Sequence, residues 1–174
     1  MKRRTLIVSI ILHALLLTTV YIFQSMIFPH LRLEGLAPLL LPIVSTGVAV
    51  YEGCNAGGIM GIFAGILCDV SFNEPTGVFT VLLTITGLII GTLADTVLTR
   101  GFATYYLSCA AVLALSAIAQ MFPLVFFRDV PIQSLTSTAL RQTIYSLLLA
   151  FPIWFLVRAL GKRAQRVSPP GRPL

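Results

Sequence analysis

The chain has few side chains that could carry out acid–base chemistry or bind a metal ion. Its 174 residues include six carboxylates, two histidines and three cysteines. Three of the carboxylates, Glu52, Asp69 and Asp95, border long apolar stretches, where an ionisable group is costly and is by default a functional or partner-binding candidate. General acid–base catalysis needs titratable groups within hydrogen-bond reach of the reacting atoms. Whether these three carboxylates can meet depends on the elements that carry them.

The histidines and cysteines do not follow a metal-ligand or nucleophile pattern. Cys54, Cys68 and Cys109 lack CxxC or Cys/His spacing, so they predict neither a metal site nor a disulfide framework. His13 lies in the middle of the first apolar stretch without an acid or a cysteine within helical reach, which favours a packed, hydrogen-bonded histidine over a catalytic one. No serine has a GxSxG context. The sequence therefore predicts no catalytic, cofactor or metal residues.

Glycines at a spacing of four lead into two of the acids. The longer series is Gly53, Gly57, Gly61, Gly65 and Asp69. A shorter copy, Gly87, Gly91 and Asp95, repeats the spacing of Gly61, Gly65 and Asp69, 26 positions later. Residues four apart share one face of a helix, so each series is a smooth stripe that ends in a carboxylate.

In lipid, such a stripe lets another helix approach closely, because helix association there depends on van der Waals packing. The glycines are therefore helix-packing candidates. Packing within this chain is favoured over an interface with another protein, although both could hold on different flanks.

The composition is that of a multi-pass membrane protein. The chain is 57% hydrophobic and 10% charged, with a mean hydropathy of +0.94, whereas soluble domains have about 25% charged residues. A span needs roughly 20 apolar residues. Six candidate spans are 5–27, 36–51, 54–70, 77–98, 102–127 and 139–160. The second and third are short, and the residues between them predict either a tight hairpin or the turn of a re-entrant pair.

The distribution of basic residues predicts an orientation. Residues 2–4 are all basic, and 162–172 contains four basic residues, so the positive-inside rule places both ends in the cytoplasm. Two cytoplasmic ends require an even number of crossings, which favours six. We therefore expect an all-α membrane protein, N-in and C-in, with one six-helix domain at 1–162 and a short, disordered, basic cytoplasmic tail at 163–174. The net charge of +6 is assigned to topology and anionic lipid, not to nucleic acid.

This topology separates the acids. Asp69 falls at the outer face and Asp95 near the inner end of its span, so they cannot form a catalytic dyad. Asp69 could pair with Arg141, and Asp95 with Arg100 or a basic tail residue; each acid could instead contact a partner. Glu52 sits at the short inner turn, where it meets a cytoplasmic partner or is simply solvated.

Residues in the second and third predicted spans, and in the loop that follows them, are similar to those of a known family. Leu41, Pro42 and Ile43 in the second span, then Glu52 and Gly53, the glycines to Gly65, Leu67, Asp69 and Gly77, resemble the rod shape-determining protein MreD family. The resemblance is strongest over 38–98, and elsewhere it rests on length, topology and hydropathy.

The resemblance implies a non-enzymatic, multi-pass subunit of the cell-elongation machinery in the bacterial inner membrane. Its implied partners are an MreC-like bitopic membrane protein and, in a larger assembly, the MreB cytoskeleton, RodA and a class B penicillin-binding protein. The implied role is to help organise peptidoglycan synthesis and maintain rod shape. The implied fold is similar to that of substrate-binding subunits of energy-coupling-factor transporters. The resemblance also implies structural or partner-contact roles for seven residues: Glu52, Gly53, Gly57, Gly61, Gly65, Asp69 and Gly77.

A substrate-binding subunit of an energy-coupling-factor vitamin transporter is the alternative function. It would share the size and topology of this chain. Such subunits resemble one another in an Ala-x-x-x-Ala pattern in the first helix, and residues 9–14 do not contain it. A ligand pocket also needs several convergent polar groups, which the apolar spans barely supply. The morphogenetic interpretation is therefore favoured.

Overall fold

Six α-helices make up the described part of the protein in the computed structural model, which covers residues 2–27, 38–72, 77–96, 101–128 and 132–167. Side chains are described for 9–26, 38–71, 77–96, 101–121 and 136–159. The helices are α1 (Lys2–Ile27), α2 (Leu40–Glu52), α3 (Cys54–Phe72), α4 (Val78–Thr96), α5 (Phe102–Arg128) and α6 (Ile132–Val167). These ranges contain no strand, so the predicted all-helical class is confirmed, and each predicted span overlaps one helix.

Five of the six helices are long and apolar enough to cross a membrane, and α2 is the shorter one. Its 13 residues extend about 20 Å at 1.5 Å per residue, whereas the hydrocarbon core is about 30 Å thick. Every residue from Pro38 to Val50 is buried, and α2 packs against all five other helices. The bundle is therefore built around a short central helix.

The first turn of α2 lies inside the protein and finds its hydrogen bonds there. The backbone N–H of Leu39 donates to the Ser146 hydroxyl of α6 at 2.9 Å. The hydroxyls of Ser45 and Thr46 both donate to the Pro42 carbonyl, at 3.0 and 2.7 Å. The start of a helix away from water needs an acceptor such as the Ser146 hydroxyl, because its first N–H groups have no intrahelical acceptor. The buried start of α2 thus depends on α6.

One residue, Gly53, separates α2 from α3. Its φ of 88° is in the left-handed region that glycine adopts without strain, and its N–H donates to the Ala49 carbonyl at 3.2 Å. A methyl group placed on Gly57 would lie 2.7 Å from the Cβ of Ala49. The two helices therefore fold back on each other as a tight hairpin at this glycine.

The sixth helix extends further than the sequence predicts. It runs to Val167, so residues 163–167, assigned to a disordered tail, are helical. Lysine, arginine, alanine and glutamine are good helix formers, which is why the polar end continues the helix. Residues 168–174 lie outside the described part of the chain.

Candidate functional site

The glycines of α3 and α4 face each other along an antiparallel helix pair. As α3 advances by one turn, its neighbour on α4 recedes by one turn. Gly57 lies against Gly87, Gly61 against Leu83, and Gly65 against Phe79 and Thr80. Gly53, which precedes α3, lies against the carboxylate of Asp95. The stripe of α3 therefore faces α4 over its whole length.

The approach is so close that no larger residue fits. A methyl group on Gly87 would lie 2.5 Å from the Gly57 carbonyl oxygen, and one on Gly91 would lie 2.5 Å from the Cα of Cys54. A methyl group on Gly61 or Gly65 would collide with the α4 backbone at Leu83 or Thr80. Backbone cannot rotate away as a side chain can, so the two backbones are in contact because both stripes lack side chains.

Asp69 ends the α3 stripe and caps α4. Its two carboxylate oxygens accept the backbone N–H groups of Phe79 and Thr80, each at 3.1 Å, and the Thr80 hydroxyl at 2.6 Å. Unpaired N–H groups and the helix dipole make a helix N-terminus a favourable place for a carboxylate. Asp69 is only half-buried, and its charge is satisfied within the chain.

Asp95 makes the reciprocal contact at the other end of the pair. It ends the α4 stripe, and its carboxylate accepts the backbone N–H of Cys54, the first residue of α3, at 3.0 Å. The carboxylate also covers Gly53, where a methyl group would lie 2.5 Å from one of its oxygens. Each glycine stripe therefore ends in an acid that caps the start of the partner helix.

The 26-residue repeat is the sequence form of this arrangement. Exchanging α3 for α4 places Gly61 on Gly87, Gly65 on Gly91 and Asp69 on Asp95. The contacts follow the same exchange, since Gly61 meets Leu83 and Gly87 meets Gly57. The pair thus has an approximate two-fold axis perpendicular to the helices.

Asp69 binds a partner other than the predicted one, and the predicted pairing of Asp95 stays a prediction. Among the described residues, the Asp69 carboxylate is bound by the first turn of α4, not by Arg141, because backbone N–H groups lie within reach of both oxygens. Arg100 and the basic tail residues, the expected partners of Asp95, lie outside the described side chains. Glu52 is half-buried at the end of α2. Asp69 and Asp95 lie at opposite ends of a pair about 28 Å long at 1.5 Å per residue.

Other polar groups also serve packing. His13 is buried, and its Nδ1–H donates to the Ser9 carbonyl at 2.8 Å, as expected for a packed histidine. Ser146 was not singled out by sequence, since a serine in an apolar span usually bonds its own helix. Within the described residues, no three histidine, cysteine or acidic side chains are grouped to hold a metal ion.

An open apolar groove lies beside this helix pair, between α4 and α5. It has a volume of about 470 Å³ and opens to the side of the bundle. It is lined by Val78, Val81, Leu82, Ile85 and Thr86 of α4, by Gly77 just before that helix, and by Leu115 of α5. The groove flanks the face of α4 that does not contact α3.

The fold and this site define a helical multi-pass membrane protein in which a capped, glycine-lined helix pair serves structure. The family model for rod shape-determining protein MreD matches residues 2–164, and the chain belongs to the MreD family. Its members are shape-determining membrane proteins, which agrees with the resemblance noted above. No curated protein matches the chain, and no solved structure matches it. The comparisons give no support to the transporter alternative.

Substituting Gly61 by alanine should destabilise the protein by about 1–3 kcal/mol, because the new methyl group must push the α4 backbone away. Gly58→Ala is the matched control on the same helix. Its methyl group would meet the end of the flexible Leu88 side chain, 2.6 Å away, which can rotate. Thermal unfolding in detergent measures both; equal stability of the two variants would contradict backbone contact at Gly61.

Replacing Asp69 by alanine should cost about 1–2 kcal/mol, the usual effect of losing an N-cap, because Phe79 and Thr80 lose their acceptor. Asp69→Asn should fall between alanine and the native residue, since its amide oxygen still accepts a hydrogen bond. The same unfolding assay ranks the three proteins. A stability of Asp69→Ala equal to that of the native protein would show that the cap contributes nothing.

Proposed function

We propose that this protein is a non-enzymatic scaffold of the cell-elongation machinery in the bacterial inner membrane. It binds an MreC-like bitopic membrane protein and, through the larger assembly, works with the MreB cytoskeleton, RodA and a class B penicillin-binding protein. In this role it helps to organise peptidoglycan synthesis and to maintain rod shape. Family membership over residues 2–164 supports the assignment. The positive-inside bias supports the N-in, C-in orientation.

The observation that carries the proposal is that the two conspicuous acids are used inside the chain. Asp69 and Asp95 accept hydrogen bonds from α4 and α3 and lie at opposite ends of the pair. Carboxylates bonded in this way hold the two helices in place. The arrangement is that of a rigid support with a shaped apolar surface.

We assign the groove between α4 and α5 to the single membrane span of the bitopic partner. Its lining is apolar apart from the Thr86 hydroxyl, which donates to the Leu82 carbonyl of its own helix at 2.8 Å. The floor belongs to α4, which is fixed by its contact with α3. A preformed surface loses little conformational entropy on binding, and membrane helices associate through such close packing.

A photo-crosslinking residue at Ile85 should capture the partner in native membranes, because Ile85 lines the groove. Ile22 on α1 is the matched control, since both side chains are isoleucines that are 51% exposed. The adduct is identified by mass spectrometry. A bitopic partner captured at Ile85 and not at Ile22 supports the groove; equal capture at both positions contradicts it. Adducts with a transporter coupling subunit would refute the scaffold role.

Filling the groove should separate partner binding from folding. Val81→Trp places an indole in it, and we expect recovery of the partner to fall by about tenfold, which corresponds to 1.4 kcal/mol, with rod-shaped cells becoming round. Val70→Trp on α3 is the control, because Val70 is 63% exposed and Val81 60%. Copurification and cell microscopy measure the two effects. Rod shape retained by the Val81 variant, with normal partner recovery, would exclude the groove.

A further inference from the structure

Aromatic side chains cluster where α5 begins and α6 nears its end. We call Phe102, Phe151, Trp154 and Phe155 the aromatic surface. The Phe102 ring centroid lies 5.2 Å from that of Trp154 and 5.9 Å from that of Phe151, and Trp154 lies 4.7 Å from Phe155, all in edge-to-face geometry. The three phenylalanines are exposed, so the rings are held together by one another and present an apolar patch to the bilayer.

Trp154 is fixed on both sides. Its indole Nε1–H donates to the Tyr51 hydroxyl of α2 at 2.5 Å. The guanidinium carbon of Arg158 lies over the indole, 5.1 Å from the ring centroid, at a distance where a cation is attracted to the ring face. The hydrogen bond orients the indole, and the indole in turn positions the cation beside the apolar patch.

The charge of Arg158 is exposed and lies near the C-terminal end of the predicted sixth span. Its side chain is exposed, and among the described residues no carboxylate forms an ion pair with it. The span predicted from the sequence, 139–160, ends two residues beyond Arg158. The helix then continues to Val167 and carries Lys162, Arg163 and Arg166. The cation therefore stands at the border between hydrocarbon and headgroups, at the start of a basic helix end.

We propose that Arg158 and the aromatic surface form a binding site for an anionic phospholipid. The guanidinium binds the phosphate, and the first segments of an acyl chain lie on the exposed phenylalanine rings. An exposed cation directly beside an apolar patch matches an amphiphile with an anionic head and a hydrocarbon tail. An acidic protein segment would match the charge but not the three rings. Basic clusters next to a membrane span attract anionic lipids in this way.

The single tryptophan of the chain, Trp154, reports on this site directly. The full chain is reconstituted in phosphatidylcholine vesicles that contain either brominated phosphatidylglycerol or brominated phosphatidylcholine at equal mole fraction. Bromine quenches tryptophan fluorescence on contact. Since each basic residue near a membrane surface contributes about 1 kcal/mol of attraction to anionic lipid, we expect the charged lipid to be enriched about fivefold around Trp154.

Variants show whether Arg158 is responsible. Arg158→Gln should abolish the enrichment, while Arg158→Lys should retain much of it, because lysine keeps the charge and can also lie over the indole. Arg128→Gln removes the same charge from the last residue of α5, at the opposite end of that helix, and should leave the enrichment unchanged. Elution of each variant as a monodisperse peak establishes that it is folded.

Three results would overturn the proposal. Equal quenching by the two brominated lipids would show that the aromatic surface is ordinary lipid contact. Enrichment that survives in Arg158→Gln would move the site elsewhere. Weak quenching by both lipids would show that protein covers the aromatic surface and that lipid does not reach it. Lipid binding does not require the partner of the α4–α5 groove, so either proposal can fail without the other.

Discussion

The contact between the backbones of α3 and α4 is the constraint on which the rest of the structure depends. Inside a bilayer, apolar side chains gain little by leaving lipid for protein, so helices hold together through the closeness of their packing. Three glycines on α3 and two on α4 bring main chains to a distance that a single methyl group would prevent. The central helix α2 and the groove lining are both positioned by this pair, since α2 contacts both of its members.

The reciprocal caps solve a second problem of membrane helices. The N–H groups at the start of a helix need acceptors, and water supplies them only at the membrane surface. Because Asp69 and Asp95 sit at the ends of the stripes, each carboxylate reaches the first turn of the partner helix. Their charges also interact favourably with the helix dipoles. The two acids that the sequence offers as functional candidates thus fix the register of the two helices along each other.

Sequence and structure agree where the signal is local. Apolar length locates the helices, and a spacing of four places the glycines on one face. The helix that packs against that face cannot be predicted from hydropathy, because hydropathy contains no information about which helices touch. The 26-residue repeat contains information about which helices pair. An antiparallel two-fold pair requires equal spacing on its two helices, as in Gly61, Gly65 and Asp69 and in Gly87, Gly91 and Asp95.

Other features of the structure could not be predicted from the sequence. The sequence predicts a basic partner for Asp69. The groups that donate hydrogen bonds to Asp69 are mainly backbone amides, which every residue except proline possesses. The burial of α2 inside the protein could not be predicted either, because a helix surrounded by protein and one surrounded by lipid have the same apolar composition. The bond from Leu39 to Ser146 joins residues more than a hundred positions apart, and no pattern in the chain relates them.

The enclosure of α2 has a consequence for how the protein is made. A ribosome delivers the chain from its N-terminus, so α2 emerges before four of the five helices that surround it. A segment about 20 Å long does not cover the hydrocarbon core, and the Ser146 hydroxyl that accepts its Leu39 N–H is synthesised far later. Until α6 arrives, that buried amide lacks this acceptor. The native contacts of α2 are therefore complete only after α6 has been synthesised and the later helices pack around it.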